Sequence, residues 1–196
     1  MVEIICYHTC KNEGGKEFIL NNAPFYSDNK PKNGKKGKPQ WLSEGFYLWT
    51  DSDYYAKTWL KENFAIIQFT LTIDKDDLLD LVGNVNDQLE FKDYVDLYRE
   101  ILSKEIAKES NPKRKLQLTY KLKHITVSAV VHKLKKYEAF RYKAVKAQDT
   151  VAHETEEMQF TEQTKSEKLF YPTRQQIVIF KEGRDLLTNP IWHYPN

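Results

Sequence analysis

Gly45-Phe46-Tyr47-Leu48-Trp49-Thr50-Asp51 reads as a short strand that runs directly into the start of a helix. Aromatic and apolar residues fill 45–50, which favours extended chain, and Asp51 or Ser52 can cap a helix carrying Tyr55, Ala56, Trp59 and Leu60. Two further patterns lie at the ends of the chain. Tyr7-His8-Thr9 closes an alternating apolar strand over residues 2–8, and Gln176-Ile177-Val178-Ile179-Phe180 forms another strand. Each pattern puts a polar or aromatic side chain on or beside a β-type run. Because strand neighbours point to opposite faces, only one of Gln175 and Gln176 can face a cleft, and Gln176 is the first choice.

Between these strands the chain alternates helix and strand signals. Gly14-Gly15 breaks the first strand before a short helix over 16–22. Residues 23–42 carry three Pro, two Gly and many Lys, the composition of a long surface loop. Residues 64–73 form a strand, and Asp74 can cap the turn around Leu78, Leu79 and Leu81. Residues 89–106 place Phe91, Val95, Leu97, Tyr98, Ile101, Leu102 and Ile106 near helical spacing and predict a long amphipathic helix ended by Asn111-Pro112. A further helix is expected within 113–134, although Ile125-Thr126-Val127 and Ala129-Val130-Val131 would also suit a strand. Residues 148–168 read as a loop with short elements, and 191–194 as a C-terminal segment packed on the body.

With 196 residues and no linker of Pro, Gly and Ser, the expectation is one domain over 1–196, with a helical, basic insertion at about 74–146. Cys6 and Cys10 are the only cysteines and lie four apart in a strand, so they are expected to be reduced, as in a cytoplasmic protein. The first residues lack an export signal and no run is long enough to span a membrane, so no membrane partner is expected. The net charge of +2 conceals opposed blocks. Residues 104–146 hold thirteen Lys/Arg against three Glu, whereas residues 71–100 hold nine acids against three bases. A phosphate-rich partner or a solvated helix face would each explain the basic block.

The order Tyr7-His8-Thr9, then Gly45 to Asp51 with Trp59 behind it, then Gln176, resembles the His-Tyr-Glu-like branch of the ADP-ribosyltransferase superfamily. The match extends in pieces over about 80 residues and is nearest to a small bacterial family of ADP-ribosyltransferase-like proteins. The resemblance implies an α+β fold in which two split antiparallel β-sheets form an NAD cleft. It implies that His8 bonds a ribose hydroxyl, that the backbone at Thr9 grips the carboxamide, and that Tyr47 stacks on nicotinamide. Tyr7, Tyr55 and Trp59 would complete the cofactor site, and His8, Tyr47 and Gln176 the catalytic set. The chain departs from the pattern twice, with Thr9 in place of the usual Gly and Gln176 where many relatives have Glu. A neutral Gln can bind a hydroxyl but stabilises developing positive charge only weakly. NAD would be a substrate and no metal is expected.

The activity so implied is mono-ADP-ribosylation of a macromolecule, with RNA or DNA slightly favoured over protein as acceptor. Small stand-alone enzymes of this kind are often bacterial toxins or anti-phage effectors, for which the resemblance implies a neutralising antitoxin protein as partner. The acceptor would meet Lys113, Arg114, Lys115, Lys121, Lys123, Lys135, Lys136 and Arg141, with Tyr120, Tyr137, Phe140 and Tyr142 interleaved for base stacking. Two other classes compete. A nucleic-acid-binding module without catalysis would use the same basic block. A zinc-dependent hydrolase would use Cys6, His8 and Cys10, which share one strand face, although same-face Cα atoms roughly 6.5 to 7 Å apart converge poorly on one ion. Neither a Gly-x-Ser-x-Gly elbow nor a Walker loop occurs.

Overall fold

The computed structural model describes residues 1–30, 37, 40–149, 156–159 and 168–195. Ten strands and five α-helices are assigned there. In chain order they are β1 (Val2–Lys11), α1 (Gly15–Asn22), β2 (Tyr26–Ser27), β3 (Gly45–Thr50), α2 (Tyr54–Thr58), β4 (Phe64–Ile73) and β5 (Leu78–Asp80). Then come α3 (Val85–Lys108), α4 (Pro112–Lys123), α5 (Val127–Lys136), β6 (Ala144–Asp149), β7 (Glu156–Gln159), β8 (Lys168–Tyr171), β9 (Arg174–Ile179) and β10 (Leu187–Tyr194). The chain is thus mixed α+β, and its helical segment falls between β5 and β6.

One sheet runs in the order β10-β4-β1-β3-β9-β6-β5, with β2 added to β3, while β7 and β8 form a separate hairpin. This departs from the expected pair of antiparallel sheets in two respects. β5 lies parallel to β6, because the three helices between them carry the chain back before β6 begins. The two halves also remain joined, but barely: β1 pairs with β4 along ten residues and with β3 only through Cys6↔Thr50 and Tyr7↔Trp49. Beyond Tyr7 the strands diverge, and the gap between them is where the site lies.

Alternation along the strands divides the interior into layers. On β4, Ala65, Ile67, Phe69, Leu71 and Ile73 face a core completed by Cys6, Ile19, Ile177 and Ile179 and closed by α1. On the opposite face, Val178, Phe180, Val145 and Ala147 pack against Tyr98 and Leu102 of α3 and against Val130, Val131 and Leu134 of α5. A third, smaller cluster of Trp49, Tyr55, Ala56 and Ile66 sits beneath α2. Gly45 is required where β3 meets β9, since a Cβ there would lie 2.6 Å from the Ile179 carbonyl oxygen.

Each long helix begins at a side-chain cap. Asn84 accepts from the backbone of Asn86 and Asp87, Asn111 from Lys113 and Arg114, and Thr126 from Ala129. Asn111-Pro112 therefore starts a helix as well as ending the previous one, because proline fits the first helical position. The single helix expected within 113–134 is two, separated at 124–126, and the strand alternative for 125–131 fails because Thr126 caps a helix whose apolar side is buried.

Candidate functional site

Where β1 and β3 separate, a cleft of about 960 Å³ opens, lined by side chains from β1, β3, β6, β9 and the loop before β3. His8, Thr9, Tyr47, Trp59 and Gln176 all border it, although they are spread from one end of the sequence to the other. Strand pairing brings them together: Tyr7 lies opposite Trp49, and Trp49 opposite Gln176, so β1, β3 and β9 are in register across the opening.

His8 bridges the gap. Its Nε2 accepts from the Phe25 N–H at 3.1 Å, and its Nδ1 lies 3.0 Å from the Tyr47 carbonyl oxygen. A nitrogen that accepts from an N–H carries no proton, so Nδ1 holds it and donates to the carbonyl. The ring is neutral, and burial pushes its pKa down to about 4; the bond to Tyr47 opposes this shift and the nearby Arg184 cation adds to it. Both ring nitrogens are therefore engaged in tying β1 to β3 and to the segment before β2. A ribose bond from His8, as the resemblance implies, requires Phe25 to give up its place.

Thr9 Oγ1 donates to the Ala56 carbonyl at 2.8 Å and fixes α2 against β1. Tyr47 is half-buried, with its hydroxyl donating to the Ser43 carbonyl at 2.7 Å and accepting from the Leu42 N–H at 2.9 Å. These bonds secure the end of the loop before β3. Gln176, not Gln175, borders the cleft, and its Oε1 accepts from the Trp41 indole N–H at 2.8 Å. The Tyr7 ring lies 5.1 Å from that of His193, and Tyr55 is buried under Trp49 with its hydroxyl donating to the Pro172 carbonyl. Neither borders the cleft, because Tyr7 packs with His193 against the cluster beneath α2 and α2 turns Tyr55 inward.

The cleft is further built from Trp49 and Trp59 and from Trp41, Arg174 and Asp149, the last three outside the sequence patterns. Trp49 and Trp59 meet edge to face at 5.3 Å, and Trp59 is 54% exposed, leaving an indole surface for a planar ligand. Arg174 forms a two-pronged pair with Asp149, Nε–Oδ1 at 2.8 Å and Nη2–Oδ2 at 2.5 Å, at the cleft wall. Alternation would have found Arg174, two residues before Gln176 on the same strand face. Trp41 also had a signal, as a lone indole in a loop otherwise rich in Lys, Pro and Gly.

Cys6, His8 and Cys10 share a strand face, but both His8 nitrogens are taken. Burial pushes the Cys6 thiol up to about 12, with Asp51 adding to the shift, and burial alone takes Cys10 to about 11. Among the described residues no cluster of three His, Cys, Asp or Glu side chains could hold a metal ion. The cleft is equipped to grip and stack a ligand; its His is neutral and its one thiol, Cys10, stays protonated.

The basic block is less basic in three dimensions than in sequence. Arg141 pairs with Glu90, Lys143 with Asp77, Lys133 with Glu105, Lys135 with Glu182 and Arg114 with Glu109. Lys135 also lies 3.7 Å over the Phe180 ring, and Arg141 completes a network with Tyr142 and Glu90. The acidic segment supplies several of these partners, so the opposed charge blocks partly neutralise each other. Phe140 and Tyr142 are core residues and unavailable to bases. Among the described residues Lys113, Lys115, Lys121, Lys123 and Lys136 have no ion pair, and four of these lie on α4 with the exposed Tyr120. The cluster beneath these helices reaches the cleft, since Trp41 and Tyr47 pack against it. Among the described residues no helix is long and apolar enough to cross a membrane.

Compared with family models, with curated proteins and with solved structures, the chain matches none.

Proposed function

We propose that this chain is an NAD-dependent mono-ADP-ribosyltransferase acting on a macromolecule, with the split between β1 and β3 as its NAD cleft. The observation that carries this reading is that His8, Thr9, Tyr47, Trp59 and Gln176 border one cavity of about 960 Å³, large enough for a dinucleotide. The chemistry is compatible. Cleaving the nicotinamide–ribose bond needs a firm grip, stacking and stabilisation of an oxocarbenium-like centre, and no side-chain nucleophile. The exposed indole of Trp59, backed by Trp49, supplies stacking surface, and Arg174 places a cation at the wall.

The favoured acceptor is a nucleic acid meeting the unpaired lysines of α4, in the setting of a toxin or anti-phage effector. A second reading, ligand binding without transfer, is favoured by one observation: His8 is fully engaged with backbone groups while Gln176 carries no charge. Incubation with labelled NAD, together with RNA, DNA or cell lysate, separates the two. The transferase reading expects label retained on one macromolecular pool and free nicotinamide released; binding without either product supports the second reading.

A further inference from the structure

The loop before β3 returns one side chain to the centre of the cleft. The Trp41 indole Nε1–H donates to Gln176 Oε1 at 2.8 Å. An indole N–H can only donate, so the end of the carboxamide that meets it is the carbonyl oxygen. The orientation of this amide thus follows from its partner. Its Nε2, with two hydrogens, makes no hydrogen bond among the described residues. Both ends of the arrangement are held. Gln176 is paired in the sheet with Trp49 on one side and Ala147 on the other. Trp41 packs on the cluster beneath α3 and α5, and its neighbour Leu42 is wholly buried, with its N–H bonded to the Tyr47 hydroxyl.

We propose that Trp41 is a positioning residue that locks the Gln176 carboxamide with its nitrogen toward the cleft. Position 176 then serves the ligand as a hydrogen-bond donor to an oxygen atom, whether hydroxyl, carbonyl or phosphate, and not as a negative charge facing a developing cation. The ligand part of this inference rests on the reading of the cleft as an NAD site. It gives the Gln a role of its own: a glutamate here would offer acceptors alone at neutral pH, facing an acceptor.

The test is a double-mutant cycle read by calorimetry with NAD and with ADP-ribose, all variants first checked for cooperative unfolding. Gln176→Leu, which removes a neutral donor, should weaken binding by about tenfold. Trp41→Phe keeps an aromatic ring but frees the carboxamide, and should weaken binding by about threefold in the parent. In the Gln176→Leu background it should cost nothing more, because Trp41 acts through Gln176. Equal losses in both backgrounds would show that Trp41 matters only by packing and overturn the proposal. Gln176→Glu should also weaken binding and lower turnover; higher turnover would show that the position wants a carboxylate and likewise overturn it.

If the parent binds neither NAD nor ADP-ribose, the proposed function fails, and the lock is judged on its own. The Trp41 indole proton should then exchange slowly with solvent in the parent and fast in Gln176→Leu. Identical exchange in the two would overturn the lock.

Discussion

Acidification from pH 7 to about 4 titrates a single buried ring that ties two halves of the sheet together. In the folded chain His8 holds its proton on Nδ1 for the Tyr47 carbonyl, and Nε2 faces the Phe25 N–H. Burial penalises the charged ring, which is why the pKa falls to about 4, and a second proton on Nε2 would in addition face the Phe25 N–H. The unfolded chain has no such restriction, and its His titrates near the ordinary value of about 6.5. Between the two values the unfolded state binds the extra proton and the folded state does not, so stability is lost as pH falls. The slope is about 1.4 kcal/mol per pH unit, amounting to roughly 3 kcal/mol at pH 4. Asp53, held below the usual carboxyl range by hydrogen bonds from Lys57 and then His193, contributes a loss of the same sign only at lower pH. Urea unfolding of the parent and of His8→Gln at pH 7.5, 6.5, 5.5 and 4.5 isolates the effect. The variant should start less stable by about 1 to 3 kcal/mol, having lost one of its two bonds, and then approach the parent as pH falls. Parallel curves for the two proteins over this range would refute the neutral, clamped His8.

Tyr47→Phe removes a hydroxyl that serves both the Ser43 carbonyl and the Leu42 N–H, and should cost about 1 to 3 kcal/mol of stability by urea unfolding. Because the loop carrying Trp41 ends there, NAD affinity by calorimetry should fall as well. Reversing the charge of Lys113, Lys115 and Lys121 should abolish transfer to RNA or DNA while leaving NAD hydrolysis in water nearly unchanged; parallel loss of both in a labelled-NAD assay would count against separate acceptor and NAD surfaces. Thr126→Ala deletes the α5 cap bond to Ala129 and should lower stability by about 1 kcal/mol without changing nicotinamide release.

The strands that carry His8, Tyr47 and Gln176 were legible because each is a run of apolar and β-branched residues of the right length. Alternation required that only one of Gln175 and Gln176 face the cleft, and the resemblance singled out Gln176. Elsewhere local pattern was insufficient. β6, with Lys146, Gln148 and Asp149 among its residues, has the composition of a solvated segment, yet β5 and β9 flank it and its alternate Val145 and Ala147 are core. Trp41 escaped notice because a long loop has no periodicity from which to infer where one side chain lands. The charge blocks overstate the free charge for a three-dimensional reason: Arg141 and Glu90, fifty-one positions apart, are bonded at 2.9 Å, and no count along the chain anticipates that.

The two borders of the main sheet differ in build but share an effect. At one side β5 has three residues and leads into α3. At the other, β10 breaks register with β4 between Thr188 and Ile191 and again between Trp192 and Tyr194, and Pro190 and Asn189, at φ +52°, sit in the first break. Proline has no N–H to offer, and bulges tilt the remaining groups out of line, so a strand from another molecule finds no continuous ladder to extend. Next to β10 lies β4, ten residues long and mostly apolar, the kind of segment that recruits copies of itself when bared. A chain shortened to end at Leu186 would keep every cleft residue and still be expected to aggregate, because the irregular last strand is what shields β4.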